Sequence, residues 1–328
     1  MQDVSIPRVD ATAVEGFQEG FITPERPAIL GGAAKDWPAR TRWSRDELKS
    51  RVGDVSLLTV EGATHLHPDL RSSLRSRQGR LSFAEYVDLV WSGDESASRR
   101  FVIGDSTPLL SGGDAVSPFF GSLLEDVIVP PFFDRGALRD VNLWLSAAGV
   151  RSWLHYDNNS FHNLNAQVKG KKSVLLYSPA DAPRLYPFLY TGELPGFSQY
   201  SRVDVEAPDP GRFPAFAGAT RFVGTLEEGD VLFIPAFWFH SFKHLGPVNI
   251  NVNFWWRPER QVMHGLSKRL AFWTALSRAL PAGAPRSPGP AAALSRLPDE
   301  MRALLHQLEL RLLDPSGIMG APAAVEGK

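Results

Sequence analysis

Between residues 141 and 256 the chain strings together VNLWLSA, WLHYD, NLNAQVKG, SVLLYS, TRFVGTL, DVLFIP, WFHSFKH and VNINVNFWW. Each segment is short, rich in branched and aromatic residues, and bounded by Gly, Pro or Asp, the pattern of β-strands between turns. A succession of strands with so little chain between them leaves few solutions. The expected fold class is mainly β: an antiparallel barrel or double-sheet jelly roll.

The flanks read differently. SRDELKSRVG predicts a helix capped by Ser44 and ended by Gly53, and LSFAEYVDLVWSG a second one capped by Ser82. Residues 179–218 form a long Pro- and aromatic-rich insertion, with Tyr186, Phe188, Tyr190, Phe197 and Tyr200, that suits either a lid or a substrate groove. Beyond Pro258 the apolar positions Met301, Leu304, Leu305, Leu308 and Leu312 recur at helical spacing. The chain therefore divides into a β domain over 1–260 and a C-terminal helical hairpin within 261–328, expected to form a homodimer and to end in a disordered tail.

Alternate residues of a strand share a face. In NLNAQVK, Leu164, Ala166 and Val168 oppose Asn163, Asn165, Gln167 and Lys169; in VNINVNFWW, Val248, Ile250, Val252 and Phe254 oppose Asn249, Asn251, Asn253 and Trp255. A face exposed to bulk water would carry Lys, Glu and Thr. Amides instead suit a wet, partly closed cavity in which hydrogen bonds are specified. The polar faces are therefore expected to look inward and the apolar faces outward, against the helices.

The chain has no cysteine, so a metal must be held by His, Asp or Glu. His155 and Asp157 lie at i and i+2 of one strand, with Cβ atoms roughly 6 to 7 Å apart, and both can reach one ion. His240, opening the strand after Pro235, supplies a second imidazole; His162, His244 and His264 are its rivals. Two histidines and a carboxylate make the facial triad of non-haem Fe(II) oxygenases, which leaves positions open for a bidentate 2-oxo acid and O2. The far carboxylate of a 2-oxo diacid needs a buried cation. Lys172, just after the Gly170 turn, can point inward, Ser152 adds a hydroxyl, and Asn163 and Asn253 can hold the metal-bound end. The formal net charge of −1 supplies no basic field for a nucleic acid. No apolar run approaches the roughly 20 residues that span a membrane, and the start MQDVSIPRVD lacks the features of a signal peptide. A cytoplasmic location is the default expectation.

The ordered words HYD, AQVKGKK, LYSP, LYPF, EEGDVLFIPAFWFH and VNFWW, preceded by PAILGGAAKDWPA, resemble the JmjC-domain, cupin-like 2-oxoglutarate/Fe(II) oxygenases, and within them the branch typified by the asparaginyl hydroxylase of hypoxia-inducible factor. The likeness spans residues 15–258 and implies a double-stranded β-helix, with His155, Asp157 and His240 as iron ligands. It also implies Lys172 and Ser152 on the far carboxylate of 2-oxoglutarate, Asn163 and Asn253 near the co-substrate, and Gln167 and Trp255 toward the substrate. The activity implied is hydroxylation of an amino-acid side chain in a protein or peptide, with release of succinate and CO2. Alternatives are a small-molecule or carrier-bound natural-product hydroxylase, an N-methyl demethylase, and a non-enzymatic cupin scaffold.

Overall fold

The computed structural model of the chain describes residues 1–10, 16–61, 78–102, 107–129, 137–157, 161–187 and 200–256. In chain order the strands are β1 (Gln2–Ser5), β2 (Arg8–Asp10), β3 (Ala28–Gly31), β4 (Ser56–Glu61), β5 (Gln78–Ser82), β6 (Arg100–Val102), β7 (Pro108–Ser111) and β8 (Ala115–Val116). They continue with β9 (Leu138–Ala147), β10 (His162–Lys169), β11 (Lys172–Tyr177), β12 (Thr220–Leu226), β13 (Val231–Ile234), β14 (Phe239–His244) and β15 (Val248–Trp256). Helices α1 (Pro38–Arg42), α2 (Arg45–Val52) and α3 (Phe83–Trp91) lie between β3 and β6.

Two sheets build the jelly roll, and a third, small one, β5-β4-β6, lies beside the helices. The larger runs β2-β3-β13-β10-β15-β9-β7-β8, and the smaller β1-β12-β11-β14. They face each other across a shared apolar layer in which Val174, Leu176, Phe222 and Leu226 of the smaller sheet meet Ile29, Leu232 and Ile234 of the larger. This is the expected jelly roll, but not a closed barrel, because neither strand order returns on itself. Among the described residues, the layer is continued beyond β14 by an irregular segment, Gly149 to His155, whose backbone meets β14 at separated points. The predicted strand WLHYD is therefore broken: Leu154 and Tyr156 turn into a second core with Phe237 and Phe239, and Tyr200 and Ser201 pair with its other side.

The inside-out reading of the polar strands holds. Leu164, Ala166, Val168, Ile250, Val252 and Phe254 pack outward into the main core with Leu48 of α2 and Phe83 and Val87 of α3. Both helices begin where their caps predict: Ser44 accepts from Glu47 N, and Ser82 and Glu85 form a reciprocal capping box. The buried Asp126 carboxylate ties this layer down, accepting from Arg42 (2.8 Å), Trp43 Nε1 (2.9 Å) and Arg51 (2.5 Å).

The first ten residues supply two parallel edge strands, β1 on β12 and β2 on β3. In the insertion, Ala182, Leu185, Val203, Phe213 and Phe216 pack into the second core. Among the described residues no helix is long and apolar enough to cross a membrane. The C-terminal hairpin with its expected dimer and tail, His264, and Phe188, Tyr190 and Phe197 lie outside the described residues.

Candidate metal centre

The turn between β10 and β11 determines what enters the space between the sheets. Gly170 has φ +78°, and a Cβ there would sit 2.2 Å from Val248 O, so the position requires glycine. The chain reverses tightly, and Lys172 becomes the first residue of β11 with its side chain inward and only 1% exposed. Lys171 points out and pairs with Glu227 instead.

Along β14, His240, Phe242 and His244 share one face, opposite Leu176, Val174 and Lys172 of β11. His240 is also paired through its backbone with His155 of the irregular segment. Asp157 follows two residues later. The ligand atoms of His155, Asp157 and His240 all lie within 4.8 Å of one another, and His240 Nε2 is 3.8 Å from Asp157 Oδ1. One cation, with bonds of about 2.0–2.2 Å to such nitrogen and oxygen atoms, can reach all three.

The imidazoles are poised for this. His155 Nδ1 contacts Trp153 O at 2.7 Å, and His240 Nδ1 contacts Trp238 O at 3.0 Å. A carbonyl only accepts, so in each ring the proton resides on Nδ1 and the Nε2 lone pair is available to a metal. The carboxylate is similarly divided. Asp157 Oδ2 accepts from Asn163 Nδ2 (3.0 Å) and Trp255 Nε1 (3.2 Å), while Oδ1 faces His240. This borderline-hard N,N,O donor set suits ferrous iron.

One cavity joins this cluster to Lys172, Ser152, Asn163, Asn165, Asn251, Asn253, Trp255 and His244. The Lys172 ammonium donates to Asn165 Oδ1 and lies 4.5 Å over the Phe242 ring. Among the described residues no carboxylate lies within salt-bridge distance of it, and burial pushes its pKa well below the usual lysine range. A buried cation of this kind beside an open cavity fits an anionic ligand. Ser152 Oγ accepts from Phe242 N at 2.9 Å, which leaves its hydroxyl proton for an acceptor.

Several expectations shift. Asn163 and Trp255 reach the cavity, but their donors are on Asp157. Asn253 Oδ1 accepts from Trp144 Nε1 at 2.8 Å. Gln167 does not line the cavity: it sits at the bulge in the β10–β15 register and donates to Lys169 O (2.8 Å) and Asn249 Oδ1 (3.3 Å). His162 is no ligand, since its Nδ1 accepts from Ala236 N at 2.9 Å among the rings of Phe233 and Trp256. Asn165, placed on the inward face by the sequence, accepts from Lys172, and His244, named as a rival imidazole, instead contacts Ser146 inside the cavity. The specific partners, Asn165 with Lys172 and His244 with Ser146, are what the sequence did not supply.

Fold and site together define a class, the non-haem iron oxygenases of jelly-roll type. Residues 14–261 match the family of cupin-like domains, and the chain belongs to it, among the JmjC-type 2-oxoglutarate/Fe(II) oxygenases. These enzymes use Fe(II), 2-oxoglutarate and O2. The chain is 28% identical over 263 residues to lysine-specific demethylase 8 of Xenopus tropicalis, covering 77% of this chain and 53% of that protein. It is 41% identical over 252 residues to tRNA wybutosine-synthesizing protein 5 of Danio rerio, covering 74% and 72%, and 32% identical over 247 residues to that of Gallus gallus, covering 73% of each. The chain thus spans about half the length of its demethylase relatives.

Proposed function

We propose that the protein hydroxylates an amino-acid side chain in a protein or peptide. Iron held by His155, Asp157 and His240, with 2-oxoglutarate and O2, supplies the oxidising power: one oxygen atom enters a substrate C–H bond and the other enters succinate as 2-oxoglutarate loses CO2. The chain's own residues prepare that chemistry. His155 and His240 keep their Nε2 lone pairs toward the ion through the protons that Trp153 O and Trp238 O hold on Nδ1. Lys172 neutralises the far carboxylate of 2-oxoglutarate, and Ser152 donates its hydroxyl to it. Asn253, fixed by Trp144, borders the co-substrate in the same cavity.

The observation that carries the reading is Lys172, a buried ammonium without a carboxylate partner among the described residues, in the cavity that also holds the triad. A side-chain substrate is supported by the relatives named lysine-specific demethylases and by the near-neutral net charge, which offers no field for a phosphate backbone. A second reading has its own support: the 41% identity to a protein named for wybutosine synthesis in tRNA favours a modified tRNA base as substrate. Incubation with Fe(II), 2-oxoglutarate, and either a peptide library or bulk tRNA separates them. The proposal expects a gain of one oxygen atom on a peptide. Loss of a methyl group makes the enzyme a demethylase, and a gain confined to a tRNA nucleoside or a small molecule overturns the protein substrate.

A further inference from the structure

Asn163 and Trp255 stand opposite each other across β10 and β15, so their side chains leave the larger sheet side by side. Both converge on a single atom, Asp157 Oδ2, at 3.0 Å and 3.2 Å. The other oxygen of that carboxylate, Oδ1, lies 3.8 Å from His240 Nε2.

The two histidines are held on the smaller sheet, through β14 and the segment bonded to it. The two donors belong to the larger sheet. Asp157 therefore bridges the sheets, and its backbone has no strand pairing of its own, since the pairing of its segment with β14 ends at His155. Backbone hydrogen bonds place the imidazoles; among the described residues no such bond places the carboxylate. Carboxylates bind cations through one oxygen or through both, and a second bound oxygen would occupy a position that the co-substrate or O2 requires. The indole has one N–H and it is committed here.

On the footing of the oxygenase reading, we infer that Asn163 and Trp255 are positioning residues. Their paired N–H donors hold Oδ2 so that Asp157 offers Oδ1 alone to the metal. This departs from the roles that the sequence suggested, an amide on the co-substrate and an aromatic wall for the substrate.

The test uses the full-length chain and Co(II) as probe, followed by calorimetry and by its visible ligand-field absorption. Trp255→Phe keeps the ring and loses the N–H, Asn163→Ala removes the amide, and a double variant removes both. Wild type is expected to bind one Co(II); each single variant is expected to bind it about tenfold or more weakly, the double variant more weakly still, with an altered absorption spectrum and an unfolding temperature near that of wild type. Should wild type bind Co(II) and Trp255→Phe and the double variant match it within about twofold, with an unchanged spectrum, the inference is wrong. Should wild type itself bind no Co(II), the oxygenase reading fails and takes this inference with it. Should Asn163→Ala fail to fold, Trp255→Phe alone decides.

Discussion

His155 and His240 exchange both of their backbone hydrogen bonds, His155 N to His240 O at 3.1 Å and His240 N to His155 O at 2.6 Å. Their rings lie 4.3 Å apart. Two imidazoles far apart in sequence are thus direct cross-strand neighbours, and the backbone sets their spacing.

His240→Ala is expected to abolish Co(II) binding while leaving that backbone pair intact, so the unfolding temperature of the metal-free protein changes little. Titration with Co(II) alongside thermal unfolding checks both halves. Wild-type affinity in the variant would mean that another residue supplies the second imidazole.

Lys172→Ala is expected to leave metal binding in place and to weaken 2-oxoglutarate. Loss of one partner of a buried charge pair costs about 2–5 kcal/mol, so the dissociation constant should rise by about 30-fold or more. Calorimetric titration of the Co(II)-loaded protein with 2-oxoglutarate reads this directly, and an unchanged constant would remove Lys172 from the co-substrate site.

Burial lowers the Lys172 pKa well below 10.5. Below that lowered value the ammonium is charged and meets the diacid without a proton change. Above it the free amine is neutral, and binding must take up a proton. Affinity for 2-oxoglutarate is therefore expected to fall as pH rises through the lowered pKa, well before an ordinary lysine titrates, with proton uptake visible on comparing buffers of different ionisation enthalpy. A constant affinity up to the ordinary lysine range would contradict this.

Asp126→Ala removes the acceptor shared by Arg42, Arg51 and the buried Trp43 indole. The expected loss is about 3 kcal/mol of stability, read as a lower urea midpoint. A midpoint like that of wild type would show that these three donors find other partners.

Much of this was legible in the sequence wherever a local period carries the information. The alternation in β10 and β15 separated Leu164 and Ala166 from Asn163 and Asn165 and told which side faces the cavity. The caps at Ser44 and Ser82 fixed two helix starts. What failed to show depends on contacts between distant segments. Gln167 shares the polar parity of Asn163, but the bulge at Gln167/Lys169 breaks the register and turns its amide to Asn249. WLHYD has the residues of a strand, yet competition from Tyr200 and the second core breaks its pairing. That Asn163 and Trp255 share one acceptor follows from their register across two strands, which neither segment encodes alone.

The central claim is that one ion is gripped by His155, Asp157 and His240 with 2-oxoglutarate anchored beside it by Lys172. Anaerobic addition of Fe(II) and 2-oxoglutarate to the full-length chain tests it most directly. The account predicts a visible charge-transfer absorption in wild type that is lost in His240→Ala and recovers in Lys172→Ala only at much higher 2-oxoglutarate; the absence of any such absorption in the folded wild-type protein would contradict it.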